Sequence, residues 1–474
     1  MKVLLTGSTG YIGRRLKQKL LDDESVELKL LVRNKKTISP TILDKVEVIE
    51  GDTFNKEALK EALKDVEIAY YLIHSLSNEN YKDLDKISAQ NFLDVAEECG
   101  VKRIIYLGGL GVKNKDTSEH LLSRIETGEI LSSSKSVQTI WLRAGVIIGS
   151  GSASFEIIRN LTEKLPVMTT PKWVDTKAQP IAVNDVLSYL HDSLYLEVKE
   201  NLIVDIGSEQ LKYKDMMKKT ANALGLKRFL IPLPFMSINI SSYWLNLFTP
   251  VPFTVAKALI EGLKSEVVIQ NQNAKKYFPK IVPMSYEDAV KSAIKEIEEN
   301  QVISRWNDKG DGVWEKIGQK EISKAIFIDR KEEDISNIEP SKVYQSFIGI
   351  GGDNGWFDFD FLWELRGIID KLIGGVGLKR GRRSQCDLRI SDCLDFWKVV
   401  DLKENERLLL YAQMKLPGSA WLEFKIQDNK LIQSAYFYPK GVLGRLYWYA
   451  LIPLHYFVFN NMIKSIVKKA KDLK

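Results

Sequence analysis

The sequence predicts two folded regions. Residues 1–300 read as an α/β unit on a doubly wound parallel sheet, and residues 319–474 as an α+β unit on an antiparallel sheet. Three observations carry this. A short apolar run, Lys2-Val3-Leu4-Leu5, feeds a glycine turn and then a stretch apolar at helical spacing. Strand and helix patterns go on alternating to about Gly207, as a parallel sheet covered on both faces requires. Beyond about residue 340, aromatic-ended strands follow one another across tight turns, which leaves room only for antiparallel pairing. At 474 residues the chain also exceeds a single comfortable core.

The turn reads Thr6, Gly7, Ser8, Thr9, Gly10, Tyr11, Ile12, Gly13, with Arg14 to Leu21 as the following helix. A strand that feeds such a turn leaves the N–H groups of a helix N-terminus facing a crevice, where they and the helix dipole attract a pyrophosphate. Gly7 allows the tight turn, Gly10 a close approach to phosphate, and Gly13 close helix-on-strand packing. These eight residues are therefore candidates for a dinucleotide. The second strand, Val26–Val32, ends at Arg33, and no Asp or Glu occupies positions 31–36. An acid at that strand end takes ribose hydroxyls, whereas an arginine suits a 2′-phosphate, so NADP(H) is expected over NAD(H). The run Val46–Glu50 ends at Gly51, Asp52 and Thr53, which places Asp52 and Thr53 near the adenine. The strand from Ile68 ends at Leu72, Ile73 and His74, expected along the cofactor.

With these elements the chain resembles an extended, atypical short-chain dehydrogenase/reductase of the NmrA-like kind. The likeness rests on the 6–13 turn, Gly51-Asp52, Tyr71 to Ser75, Leu142 to Gly149 and Pro180 to Val186, and it covers about residues 1–300. Some bacterial members carry a second, C-terminal domain of unknown function. The resemblance implies that Gly108, Gly109, Arg143, Ala144 and Gly145, at strand ends, flank the cofactor. It also implies small lid elements within 151–180 and 208–300.

The departure from the family matters more than the match. Such reductases act through a Ser and a Tyr-x-x-x-Lys on one helix. Here the strand from Arg103 ends in Gly108-Gly109-Leu110-Gly111 without a serine, His120 takes the Tyr place and Arg124 the Lys place. An ordinary imidazole titrates near pH ~6.5, so His120 is expected to shuttle a proton near neutrality unaided. Arg124 cannot deprotonate but can grip ribose hydroxyls or an anion from the same helix face. Two readings follow, a rewired proton donor or a site that only holds the cofactor. His74, one of four histidines, is expected to be structural rather than catalytic, and Tyr71 and Tyr106 to be core residues.

Composition narrows the classes. An apolar share of 45% with 27% charged residues is that of a globular protein, and a net charge of +6 over this length does not suggest nucleic acid. Cys99, Cys386 and Cys393 form no C-x-x-C, so a reducing compartment is expected and no metal site. Met1 leads straight into a strand, and the expected location is cytoplasmic. The Phe229–Met236 stretch holds two prolines and cannot be a regular helix throughout. It leads into Ile238–Phe248, an apolar segment expected to wall a lid.

Residues 301–318 read as a linker and Arg330–Asp334 as a solvated charge run. Strands from Asp395, Arg407, Ala420 and Leu431, followed by a long segment from Leu443, resemble the helix-grip fold of START-type proteins. That likeness implies a cavity for a hydrophobic ligand, with a packed aromatic core as the alternative. The tail Leu446–Phe459 is too short to span, since fourteen helical residues reach about 21 Å against roughly 30 Å of hydrocarbon. The basic end, Lys464–Lys474, is expected to dock as a helix with its charges in water rather than to rest on a bilayer. Lys379-Arg380-Gly381-Arg382-Arg383 is expected to be a solvated loop.

The leading expectation is an NADPH-binding reductase that passes hydride to a carbonyl, quinone or activated alkene of hydrophobic character. In it His120 is the proton donor and Arg124 the clamp. The alternatives are a non-catalytic NAD(P)H-binding sensor or scaffold fused to a ligand-binding domain and, more remotely, a sugar-nucleotide epimerase. No motif sets the oligomeric state.

Overall fold

The computed structural model describes residues 1–74, 81–113, 117–233, 249, 257, 260–262, 265–299, 301–306, 325–357, 360–377, 381–385 and 387–473. The chain divides into two compact units, Met1–Trp306 and Asn307–Lys474. Ser304 and Trp306 belong to the first. The Ser304 hydroxyl donates to the Tyr11 carbonyl (2.8 Å), and Trp306 N–H to that of Gly151 (2.8 Å).

In the first unit the chain runs β1 (Lys2–Thr6), α1 (Tyr11–Leu21), β2 (Glu27–Val32), β3 (Glu47–Glu50), α2 (Lys56–Leu63), β4 (Ile68–Tyr71), α3 (Tyr81–Glu98), β5 (Arg103–Gly109), α4 (Glu119–Leu131) and β6 (Gln138–Ala144). It continues through α5 (Ala153–Lys164), α6 (Val183–Asp192), β7 (Leu202–Ile206), α7 (Tyr213–Ala223) and α8 (Tyr286–Glu298). The seven strands form one parallel sheet in the order β7-β6-β5-β4-β1-β2-β3. Strand order reverses between β1 and β4, which opens a crevice beyond their C-terminal ends, where ligands of such sheets bind. The strands read as unbroken apolar runs because both faces are covered. Val3 and Leu5 pack on one side with Leu30, Tyr70 and Ile105, and Leu4 on the other with Ala69, Tyr71 and Ile104.

Phe229–Pro232 is a strand paired in parallel with Val167–Thr170, which fits Pro232 at a two-stranded edge. The segment Ile238–Phe248 lies outside the described residues.

The second unit holds β8 (Phe327–Asp334), α9 (Pro340–Ile348), α10 (Asp360–Leu372), β9 (Cys393–Leu394), β10 (Trp397–Lys403), β11 (Arg407–Ala412), β12 (Gly418–Gln427), β13 (Lys430–Pro439) and α11 (Gly441–Asp472). Its sheet is antiparallel in the order β8-β13-β12-β11-β10-β9. Asp428 and Asn429, both at positive φ (51° and 57°), make the two-residue turn from β12 to β13. The aromatics stack on one another: Phe347 lies over Phe424 at 5.8 Å and Trp356 over Phe396 at 6.3 Å.

One expectation is extended here and one corrected. Arg330–Asp334 keeps its charges toward solvent, with Arg330, Glu332 and Asp334 exposed, but it forms most of β8, paired along its length with β13. Alternating charges suit an edge strand, whose solvent side must resist further pairing. Arg382 and Arg383 are buried rather than solvated. Arg382 donates to the carbonyls of Ile348 (2.8 Å) and Ile350 (2.7 Å), and Arg383 pairs with Asp387 (2.7 Å) and Asp392 (3.2 Å). Lys379 and Arg380 are outside the described residues.

One side chain ties the start of β5 to the far edge of the first unit. The Arg103 guanidinium donates to the carbonyls of Ser193 (2.9 Å), Leu194 (3.1 Å) and Leu196 (2.7 Å), and to Gln138 Oε1 (2.7 Å). Removing it strands several half-buried carbonyls at once, so Arg103→Ala should cost about 2–4 kcal/mol. Arg103→Lys should recover only part, because an ammonium lacks the planar fork. Urea unfolding of the three proteins measures both values.

Candidate functional site

The glycine turn is built as close packing demands. Gly7 has φ +69°, a region open to glycine, and a Cβ there would come 2.5 Å from the Leu72 carbonyl oxygen. A Cβ on Gly13 would lie 2.1 Å from the Gly7 carbonyl oxygen, so α1 meets the turn at backbone distance. Gly10 N–H donates to Gly7 O (2.9 Å), and Arg14 Nε braces the turn through Thr9 O (2.9 Å). Among the described residues, the Gly10 N-cap of α1 has no side-chain cap and the buried Ser8 hydroxyl no hydrogen-bond partner. Open helix N–H groups beside an unpartnered hydroxyl fit a pyrophosphate.

Around the turn, Thr6 Oγ1 donates to Tyr70 O (2.7 Å) and accepts from Leu72 N (3.3 Å), which locks the ends of β1 and β4 together. Tyr11 turns its ring inward under the Arg15 guanidinium, and burial pushes its phenol far above the usual range. Ile12 packs partly buried on the core. Arg33 is exposed at the end of β2, and Lys35 N–H donates to the Glu50 carboxylate at the end of β3 (2.9 Å). Asp52 accepts from Phe54 N (2.9 Å). Thr53 turns inward, its hydroxyl 2.5 Å from Ser88 Oγ, so its contribution is packing.

The second half of the site lies where β4, β5, α3 and α4 converge. A Cβ on Gly109 would come 2.6 Å from the Leu121 side chain, and one on Gly108 2.4 Å from Trp141 Nε1. Gly128 packs as tightly on Trp141, where an added Cβ would lie 2.3 Å from the indole. These contacts draw α4 over the end of β5. Ser118 caps that helix through Leu121 N (3.4 Å), and the Tyr106 hydroxyl donates to Arg124 O (2.9 Å). A serine at the glycines would meet Leu121 or Trp141, which accounts for its absence.

On this helix His120 and Arg124 face the crevice side of β4. His120 Nδ1 lies 3.2 Å from His74 Nε2, and their rings are 4.9 Å apart. His74 Nδ1 lies 3.1 Å from Asp85 Oδ2, and Ser123 Oγ donates to the same oxygen at 3.1 Å. Asp85 and Ser123 are buried. With Asp85 as carboxylate, which only accepts, the proton of His74 sits on Nδ1 and His74 Nε2 faces His120. Burial, then the charge of Arg124, then His74 push the His120 pKa well below its ordinary value. His120 is therefore neutral at pH 7, and the expectation that it works unaided is corrected. Arg124 is half-buried, and its buried Nε has no hydrogen-bond partner among the described residues, an orphan donor suited to a ribose or substrate oxygen.

Sequence reasoning missed Asp85 and Ser123. The signal was present on α3, where Asp85 and Ser88 fall in phase with Ala89, Phe92 and Ala96. An acid on the apolar stripe of a helix needs a buried partner. His74, expected to be structural, is instead in contact with His120. Tyr71 and Tyr106 are core residues as expected. Arg143 is held by a two-point ion pair with Asp205 on β7 (2.6 and 3.0 Å). Ala144 O accepts from Leu110 N (2.9 Å), and Gly145 packs under Val267 and Gln179.

Residues 7–144 match the NAD(P)H-binding family, and residues 322–462 match a protein family of unknown function, DUF2867. The chain thus carries an NAD(P)H-binding domain of the Rossmann kind. It is 35% identical over 129 residues to the auxiliary protein GraX of Staphylococcus aureus, covering 25% of this chain and 40% of that protein. It is 25% identical over 266 residues to ceramide reductase of Caulobacter vibrioides, covering 54% and 82%. The fold is shared with triphenylmethane reductase of Citrobacter sp. (TM-score 0.52, 21% identity, 62% of this chain and 100% of that one), which has also been solved with NADP(H).

Because Arg124 helps depress the His120 pKa, Arg124→Gln should move the His120 titration upward, which NMR of the ring protons reads directly. The same depression links to stability. Below about pH 6.5 the unfolded chain binds a proton that folded His120 refuses, so stability falls as pH drops through that range. His120→Gln should flatten that part of the slope in denaturation measured from pH 7 to 5.

Proposed function

We propose that the chain is an NADPH-dependent reductase that delivers hydride and a proton to a polarised double bond, a carbonyl first among them, in a hydrophobic substrate. The observation that carries this reading is the Asp85–His74–His120 chain at the end of β4, with spacings of 3.1 and 3.2 Å. When bound, the reduced nicotinamide supplies the hydride. Ser8 and the open end of α1 would hold the pyrophosphate, Arg33 the 2′-phosphate, and Arg124 a ribose or substrate oxygen.

Neutral His120 is a poor acid alone, and its neighbours solve that problem. In the loaded state His74 is an imidazolium paired with the Asp85 carboxylate, and its Nε2–H donates to His120 Nδ1. His120 then carries its own proton on Nε2. As the substrate's π pair collapses onto oxygen, Nε2–H passes to that oxygen while Nδ1 takes the proton from His74. The step ends with an alcohol, two neutral imidazoles and an unchanged carboxylate, so the charges balance. No imidazolium has to form on His120 itself, where burial and Arg124 oppose it. Ser123 holds Asp85 from the other side and keeps the carboxylate aimed at His74.

Two supports bear on the substrate and the cofactor. Ceramide reductase, the relative with the longer match, is named for a long-chain lipid, which favours a large apolar substrate here. Arg33, with no acid at the end of β2, favours the 2′-phosphate.

The test is turnover with NADPH across long-chain ketones, quinones and enones. His120→Ala should lower kcat by about 10²–10⁴ with the NADPH Kd unchanged. Asp85→Asn should lower kcat less and shift the pH profile of kcat. Arg33→Ala should weaken NADPH about tenfold and leave NADH unaffected, as expected when one charge-assisted contact to the 2′-phosphate is lost. Turnover that survives His120→Ala intact would sink the proton role. NADPH binding without oxidation of any acceptor would favour a sensor.

A further inference from the structure

The second unit presents an apolar surface that its own fold leaves uncovered. On α10, Phe361, Leu365, Ile368 and Leu372 recur at helical spacing and stand exposed, Phe361 at 62%. On the first half of α11, Leu443, Leu446, Tyr449, Ile452, Tyr456 and Phe457 do the same, with Leu443 at 74% and Phe457 at 60%. The rest of α11 is docked: Met462, Ile463, Ile466, Val467 and Ala470 are buried against the sheet and α9. Trp448 pins the exposed half, stacked between Phe327 (5.4 Å) and Phe437 (5.7 Å).

The two faces meet at one loop. Lys415 N–H donates to Asp370 Oδ1 (2.7 Å), and its ammonium donates to Ile373 O (2.9 Å) at the end of α10. Two residues on, Pro417 O accepts from Lys440 N (2.8 Å) at the start of α11. The end of α10 and the start of α11 are thus tied to the same segment, residues 415–417. Rows of large apolar side chains left in water like these mark a surface used for contact.

Charge decides between occupants. The stretch that carries the two exposed faces holds Arg366, Lys415, Lys440 and Arg445 against Asp360 and Glu364, and residues 441–457 include no acid. Arg445 stands exposed among the apolar side chains. A two-fold contact with a second copy would set this cationic stretch against itself. An anionic lipid surface instead takes apolar side chains below its headgroups and pairs the cations above, with tyrosines at the boundary. Among the described residues no helix is long and apolar enough to cross a membrane, so the contact lies in the surface plane.

We propose that the second unit docks on anionic bilayers through α10 and the first half of α11, rather than through the basic C-terminal end. None of its residues belongs to the cofactor site, so its test is independent of the reductase reading.

The experiment is co-sedimentation of the full chain with sucrose-loaded vesicles of phosphatidylcholine alone or with 30 mol% phosphatidylglycerol, a composition of order that of anionic cell membranes. Binding to the anionic vesicles, weakened by raised salt, is expected. The double substitutions Leu365→Glu/Ile368→Glu and Leu446→Glu/Phe457→Glu should each reduce it at least tenfold. All these positions are exposed, so circular dichroism should show an intact fold. Should either pair unfold, Lys440→Glu/Arg445→Glu replaces it with the same expectation. Absence of sedimentation up to millimolar lipid overturns the proposal, as does binding indifferent to all three variants. A concentration-dependent dimer in ultracentrifugation, abolished by the same variants without vesicle binding, overturns it in favour of a second copy.

Discussion

A carboxylate removed from water constrains the first unit more than any other group. Asp85 lies inside α3 at 4% exposure, and a bare charge there would cost several kcal/mol unless other elements came to meet it. They do. His74 arrives from the end of β4 and Ser123 from α4, both on the same oxygen. One buried acid thus fixes the register of α4 against α3 and the conformation just beyond β4. Through those two it fixes where His120 and Arg124 stand. The glycines at 109 and 128 make the meeting sterically possible, since a side chain at either would press on the α4 packing against Leu121 or Trp141.

Much of this was legible in the chain. The 6–13 turn, the unbroken apolar strands and Arg33 announce a parallel sheet with a dinucleotide crevice, because each reflects a local rule: a positive φ, a strand buried on both faces, a missing acid. The His120/Arg124 exchange was visible by spacing along one helix. What local rules could not show is who meets His120. Asp85 and His74 are 11 residues apart and reach each other only through the packing of α3 beside β4. His74 and His120, 46 apart, meet only because α4 closes on β5. The second unit repeats the lesson at Arg330–Asp334. As a string these residues read as solvent-loving, and only pairing with β13 makes them an edge strand.

On the proposed reading, a His and an Arg where similar reductases carry Tyr and Lys amount to a change of proton source. A buried tyrosine at 120 would sit beside Arg124, whose charge would favour phenolate, but it would lose the geometry by which an imidazole takes a proton on one nitrogen and gives it from the other. A histidine in the same place would be starved of protons, because burial and Arg124 hold it neutral. The pairing with His74 and Asp85 sets a second imidazole and a carboxylate in line behind His120, which the proposed relay uses as its proton source. The proposed proton relay gives a use to a buried acid, a serine that holds it and two imidazoles in line. Each is a polar group that burial penalises, and together they satisfy one another.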